Sequence, residues 1–96
     1  MIKVTSIDIL EPYFLICGFN TGITKKLDVF PLIQNHEKLK GIEKLLDGKT
    51  FKKVRIGDAG EIVWDKIITT SYRGEDQIWD YDISPEFAFE NASLVN

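Results

Sequence analysis

Val54-Arg55-Ile56-Gly57-Asp58-Ala59-Gly60-Glu61-Ile62-Val63-Trp64 decides the fold class. Val54 and Ile56 alternate with Lys53 and Arg55, as a strand with one buried face requires. Gly57-Asp58-Ala59-Gly60 then turns the chain into the apolar run that ends at Trp64. Two β-forming runs joined by a glycine-containing turn read as a hairpin, and Trp64, at the end of such a run, is the expected core anchor.

Similar signals lie on both sides. Toward the N-terminus, Ile2, Val4, Ile7 and Ile9 alternate with polar neighbours, but the phase slips at Thr5-Ser6, which predicts a strand with a bend or bulge. Glu11-Pro12 turns the chain into Tyr13–Phe19, where apolar residues occupy both parities, and Asn20-Thr21-Gly22 closes a hairpin with Ile23–Val29. A strand apolar on both faces needs cover on both, from helices or from a second subunit, with the balance toward a homodimer. Toward the C-terminus, Ile67–Tyr72 is rich in β-formers, Arg73-Gly74-Glu75-Asp76 reads as a turn, and Trp79, Tyr81 and Ile83 alternate with Asp80 and Asp82, giving a third hairpin.

Helical signals are fewer. Leu39, Ile42, Leu45 and Leu46 recur at helical spacing and predict a short helix from Ile42 onward, weakened by Gly41 and ended by Gly48. Ser84-Pro85-Glu86 is a helix start, with serine as N-cap, proline at the first position and an acid in the first turn. That helix, from Pro85 to about Asn91, should set Phe87, Ala88, Asn91 and Ala92 on one side and Phe89 elsewhere, with Ser93 to Asn96 fraying. The fold class is therefore α+β: a small antiparallel sheet of β-hairpins with one short central helix and a C-terminal helix, in a single domain over residues 1–96.

Composition narrows the functional classes. With 44% hydrophobic and 28% charged residues in 96, the chain can build one core without metal or disulfide support. Cys17 is the only cysteine and sits in the apolar run of the second strand, where an inert core thiol is expected. The N-terminus enters strand alternation at once rather than forming a signal peptide, and no apolar stretch approaches the ~18 residues a spanning helix needs. A cytoplasmic location and no membrane association are expected.

Catalytic chemistry needs a nucleophile with a base, a pair of carboxylates with separated pKa values, or a metal cage. His36, the only histidine, follows Gln34-Asn35 at an expected helix entrance, where a surface or capping role is the reading. One histidine and one cysteine cannot supply a zinc site of nitrogen and sulfur ligands. Asp80-Tyr81-Asp82-Ile83-Ser84 opens like a calcium loop, but Pro85 and Asn91 stand where that loop requires glycine and glutamate. No catalytic residue, metal or cofactor is assigned.

Charge is the most informative remaining feature. Residues 1–56 carry ten Lys or Arg against six Asp or Glu, a balance of +4, while residues 57–96 carry two against nine, a balance of −7. Such halves can attract each other as solvated faces of one fold, or can steer a charged partner. The partner-binding candidates are Asp76, Asp80, Asp82 and Glu86. Lys49, Lys52, Lys53 and Arg55 are the nucleic-acid candidates, against which the overall acidity, with a pI near 5.1, argues.

Val4, Pro12-Tyr13, Phe19, Gly22, Asp28, Pro31-Leu32-Ile33, Phe51, Val54, Gly60, Ile62, Trp64 and Asp82-Ile83-Ser84-Pro85-Glu86 together resemble the pattern of a small bacterial family catalogued as domain of unknown function 2442. The resemblance implies a compact α+β domain without an established activity. It also implies one of two settings: fusion to a helix-turn-helix segment, or a gene placed beside another small protein in an arrangement that looks like a toxin and antitoxin pair. Too few residues follow Ile83 for the first, so the second is expected. The chain departs from the family pattern after Trp64, where an inserted hairpin over about residues 66–81 replaces a short proline-containing loop. Loops added to a rigid scaffold often carry binding function. A non-enzymatic protein-interaction domain, antitoxin-like and meeting a small basic protein through the acidic C-terminal region, is the first expectation. A nucleic-acid-associated regulator and an acid-base enzyme using Asp80 and Asp82 are the alternatives.

Overall fold

The phase slip at Thr5-Ser6 is a bulge: in the computed structural model, which describes residues 1–95, β1 (Val4–Glu11) shifts register against β2 (Phe14–Phe19) between Val4 and Ser6. β2 also pairs with β3 (Thr24–Asp28), and the last short strand, β7 (Ser93–Leu94), adds to β3 at Lys25 and Lys26. Ser93 and Leu94 are therefore paired rather than frayed; Asn96, which shared that expectation, lies outside the described residues. A second antiparallel sheet has the order β4 (Arg55–Ile56), β5 (Ile62–Tyr72), β6 (Glu75–Ile83). The class is α+β, as the sequence implies, but with two small sheets and more than two helices.

The sheets meet where Val4 N–H donates to the Gly60 carbonyl at 2.9 Å. Gly60 has φ of 80°, and a Cβ there would lie 2.6 Å from the Cβ of Lys3, so the turn that reverses β4 into β5 also has to be glycine to let β1 approach.

Three helical pieces lie between β3 and β4. α1 (Phe30–Asn35) was not anticipated. It starts where the Asp28 carboxylate accepts from Phe30 N–H and Pro31 stands in the first turn. The predicted central helix is a 3₁₀ helix, Ile42–Leu46, followed by α2 (Gly48–Phe51). Gly48 begins α2 instead of ending its predecessor, because Asp47 caps α2 by accepting from Thr50 N–H. Gly41 does not merely weaken the helix. It starts the 3₁₀ turn at φ of 106°, and a Cβ there would lie 2.0 Å from the Ile67 carbonyl oxygen, so this loop packs edge-on against β5.

The core forms between the sheets and these helices. Leu15, Cys17 and Phe19 of β2 are buried with Leu27, Val29, Ile33, Ile42, Leu45, Phe51, Ile62, Trp64, Tyr81 and Ile83. Trp64 is its largest member, and its indole N–H donates to the Phe51 carbonyl at 2.9 Å, so no polar atom of the ring is left unpaired. The opposite face of β2 is mixed rather than fully apolar. Phe14 and Ile16 there are half-buried, their register neighbours are Asp8, Glu11, Lys26 and Asp28, and Lys26 Nζ lies 4.3 Å above the Phe14 ring. A lysine thus shields part of the surface that the sequence assigned to helices or a second subunit.

Ser84 caps α3 (Pro85–Asn91) as expected, accepting from Phe87 N–H at 3.1 Å. The facing differs: Ala88 is buried and the Phe89 ring stacks edge-on to Phe19 at 5.0 Å, whereas Phe87 is exposed.

Candidate interaction surface

β5 and β6 form one continuous hairpin, and residues 66–81, expected as an added hairpin, continue the strands that begin at Ile62 and end at Ile83. The register breaks between the pairs Trp64–Tyr81 and Ile68–Trp79, where Asp65, Lys66 and Ile67 stand opposite Asp80 alone. Lys66 adopts φ of 55° in this bulge, and its N–H donates to the Asp80 carboxylate at 2.9 Å. Asp80, one of the partner-binding candidates, thus also holds the bulge. Beyond it the hairpin continues through five residue pairs to Arg73-Gly74, a two-residue turn with both φ positive, the type I′ geometry that matches strand twist.

Every residue from Thr70 to Asp80 is exposed. This outer arm nevertheless carries large apolar groups: Tyr72 is 73% exposed, Ile78 58% and Trp79 52%. Trp79 was expected to share the buried face of Tyr81 and Ile83. The body ends before it does, so its indole N–H donates to Thr70 Oγ1 on the neighbouring strand at 2.8 Å and much of its ring meets solvent. Tyr72 and Ile78 were not candidates at all. The signal was available in hairpin length, since a small body cannot cover both ends of strands of eleven and nine residues.

The acidic candidates separate. Asp80 and Asp82 line one cleft of about 390 Å³ with Trp79, Asp58, Glu61 and Arg55. Asp76 is nearer the tip of the arm, accepting from Ser71 Oγ, and Glu86 lies in the first turn of α3. The basic candidates separate too: Lys49 is in α2, Lys52 and Lys53 follow it, and Arg55 is in β4. Arg55 grips Asp65 through Nε and Nη2, at 2.8 Å for the closest contact. This bidentate pair raises the guanidinium pKa and holds Asp65 below the usual carboxylate range. Glu61 likewise folds back to accept from Ala59 N–H.

A second cleft of about 260 Å³ is lined by Leu32, His36, Tyr81, Asp82, Ile83, Ser84 and Phe87. His36 ends α1 instead of opening a helix, and its side chain turns inward, Nδ1 lying 2.8 Å from the Tyr81 hydroxyl. Burial, with the Asp82 charge adding, pushes Tyr81 up to about 12, so the phenol keeps its proton and can donate to Nδ1. Cys17 is wholly buried, and desolvation pushes its thiol up to about 11. Among the described residues no group of three or more His, Cys, Asp or Glu is placed to hold a metal ion, and no helix is long and apolar enough to cross a membrane.

Comparison with protein-family models, with curated proteins and with solved structures finds no match to this chain.

Proposed function

We propose that this protein is a non-enzymatic protein-binding module whose contact surface is the outer half of the β5–β6 hairpin. One observation carries the proposal: Tyr72, Ile78 and Trp79 are presented on an arm whose residues from Thr70 to Asp80 are all exposed. An isolated two-stranded hairpin is marginal in water, and large exposed apolar groups on one mark a surface that another molecule covers. Tyrosine and tryptophan are also residues that dominate protein interfaces. The acidic side chains of the same strand favour a basic partner through electrostatic steering. An antitoxin-like role beside a small basic protein is the specific form that the family resemblance implies.

The test is capture from the native host with the wild-type chain and with an Ile78→Ala, Trp79→Ala double variant, followed by mass spectrometry. A specific protein retained by the first and lost by the second, with both chains folded, is the expected result. Equal capture by both would place the interface elsewhere.

A further inference from the structure

We propose that the free edge of β6 takes an extended basic segment of another protein as an added β-strand, so that the sheet continues across the interface. This rests on the interaction reading above and specifies its mode.

The first ground is the hydrogen-bonding inventory of the strand. β6 is the terminal strand of its sheet, and no described residue pairs with its outer edge. Thr69 N–H donates away from β6, to the Lys40 carbonyl at 2.9 Å. In an antiparallel ladder, opposed residues either exchange both hydrogen bonds or both face outward. The Thr69–Ile78 pair is therefore of the second kind, and Ile78 presents its N–H and C=O to the free edge. Alternation puts Asp76, opposite Ser71, in the same position. These are the donors and acceptors that strand addition uses.

The second ground is charge. β6 carries Glu75, Asp76, Asp80 and Asp82 in nine residues and no Lys or Arg. A second copy of the chain is a poor occupant. Two β6 edges would oppose carboxylates, and β1, the other long terminal strand, carries Asp8 and Glu11. β3 holds Lys25 and Lys26, but β7 already covers them. The acids thus disfavour self-pairing, the usual hazard of an exposed edge, while complementing a basic strand. Natural edges are also blunted by bulges, and here the bulge lies on β5 and leaves the β6 edge unbroken.

The probe is a ten-residue peptide alternating lysine and valine, titrated calorimetrically into the full chain, with a glutamate–valine peptide as control. The basic peptide should bind, more weakly as salt screens the charges over a Debye length of about 8 Å, and the acidic one should not. Amide exchange followed by NMR should show new protection at Asp76 and Ile78, with little change at Gln77 and Trp79, whose amides already face β5. Ile78→Pro removes one outward N–H without touching a ladder bond and should weaken the peptide about five- to tenfold, while Ile78→Val should not. Exchange needs no variant and decides the matter if the proline change disturbs the arm. Absence of binding, or binding without protection at Asp76 and Ile78, overturns strand addition. Protection of those amides in the chain alone, rising with protein concentration, assigns the edge to a second copy instead. If the peptide fails but Trp79→Ala still abolishes capture of a host protein, the interaction reading stands and only the mode is wrong.

Discussion

Trp64 and Trp79 lie on the two strands of one hairpin, yet the first is 1% exposed and the second 52%. Around Trp64, the indole is enclosed by Phe51 and Tyr81, with ring centroids 5.6 and 6.1 Å away, and its N–H is satisfied inside the core. Around Trp79, the indole N–H is anchored by a threonine hydroxyl across the strand, and its neighbours along the arm are in water. The change comes just beyond the bulge at Asp65–Ile67, where Ile68 is still in the core and the exposed arm begins at Thr70. One half of the hairpin is held by the body; the other is held by its own ladder. Stability therefore belongs to the inner half, and recognition can be placed on the outer half without endangering it.

The sharpest way to break this contrast is to truncate both tryptophans. Trp64→Ala should cost about 3 to 5 kcal/mol in a denaturant melt, whereas Trp79→Ala should cost less than about 1 kcal/mol. Equal losses would mean that the arm belongs to the cooperative core.

Gly41→Ala probes the loop that braces β5 just inside the arm. A side chain at φ of 106°, facing a carbonyl oxygen at 2.0 Å, should cost at least about 2 kcal/mol, read from the same melt. A neutral change would show that the loop does not press on β5.

Ser84→Ala should lose about 1 kcal/mol, and Ser84→Asp should be nearly neutral, because either side-chain oxygen can accept from Phe87 N–H. Identical melts for the two variants would remove the cap from the account of how β6 is followed by α3.

The smallest effect is at the base of the arm. Arg55 depresses Asp65, so the pair favours the folded chain above the ordinary carboxylate value of about 3.9 and loses that effect as pH falls through the lower native value. An NMR titration should place the Asp65 midpoint below that of an unpaired aspartate, and Arg55→Gln should move it upward. Both groups are exposed, so the melt itself should barely register the change.

The sequence by itself determined what depends on near neighbours. Strand alternation, the slip at Thr5-Ser6, the reversals at Gly22, Gly57–Gly60 and Gly74, the Ser84-Pro85 start and the burial of Cys17 and Trp64 are all set by residues a few positions apart, or by side chains with little choice of environment. Asp76, Asp80, Asp82 and Glu86 were likewise visible as an acidic excess. Only tertiary structure decided where the body stops along a hairpin whose alternation continues past it. Periodicity marks a face, but burial of that face requires a surface opposite, and Trp79, 52% exposed, has one only in part. The same reason gives Asp80, exposed like Asp82, a task of its own, because the bulge it closes is made by residues on the other strand. It turned Gly41 from a weak helix residue into a required one, because the carbonyl it accommodates belongs to Ile67, far along the chain.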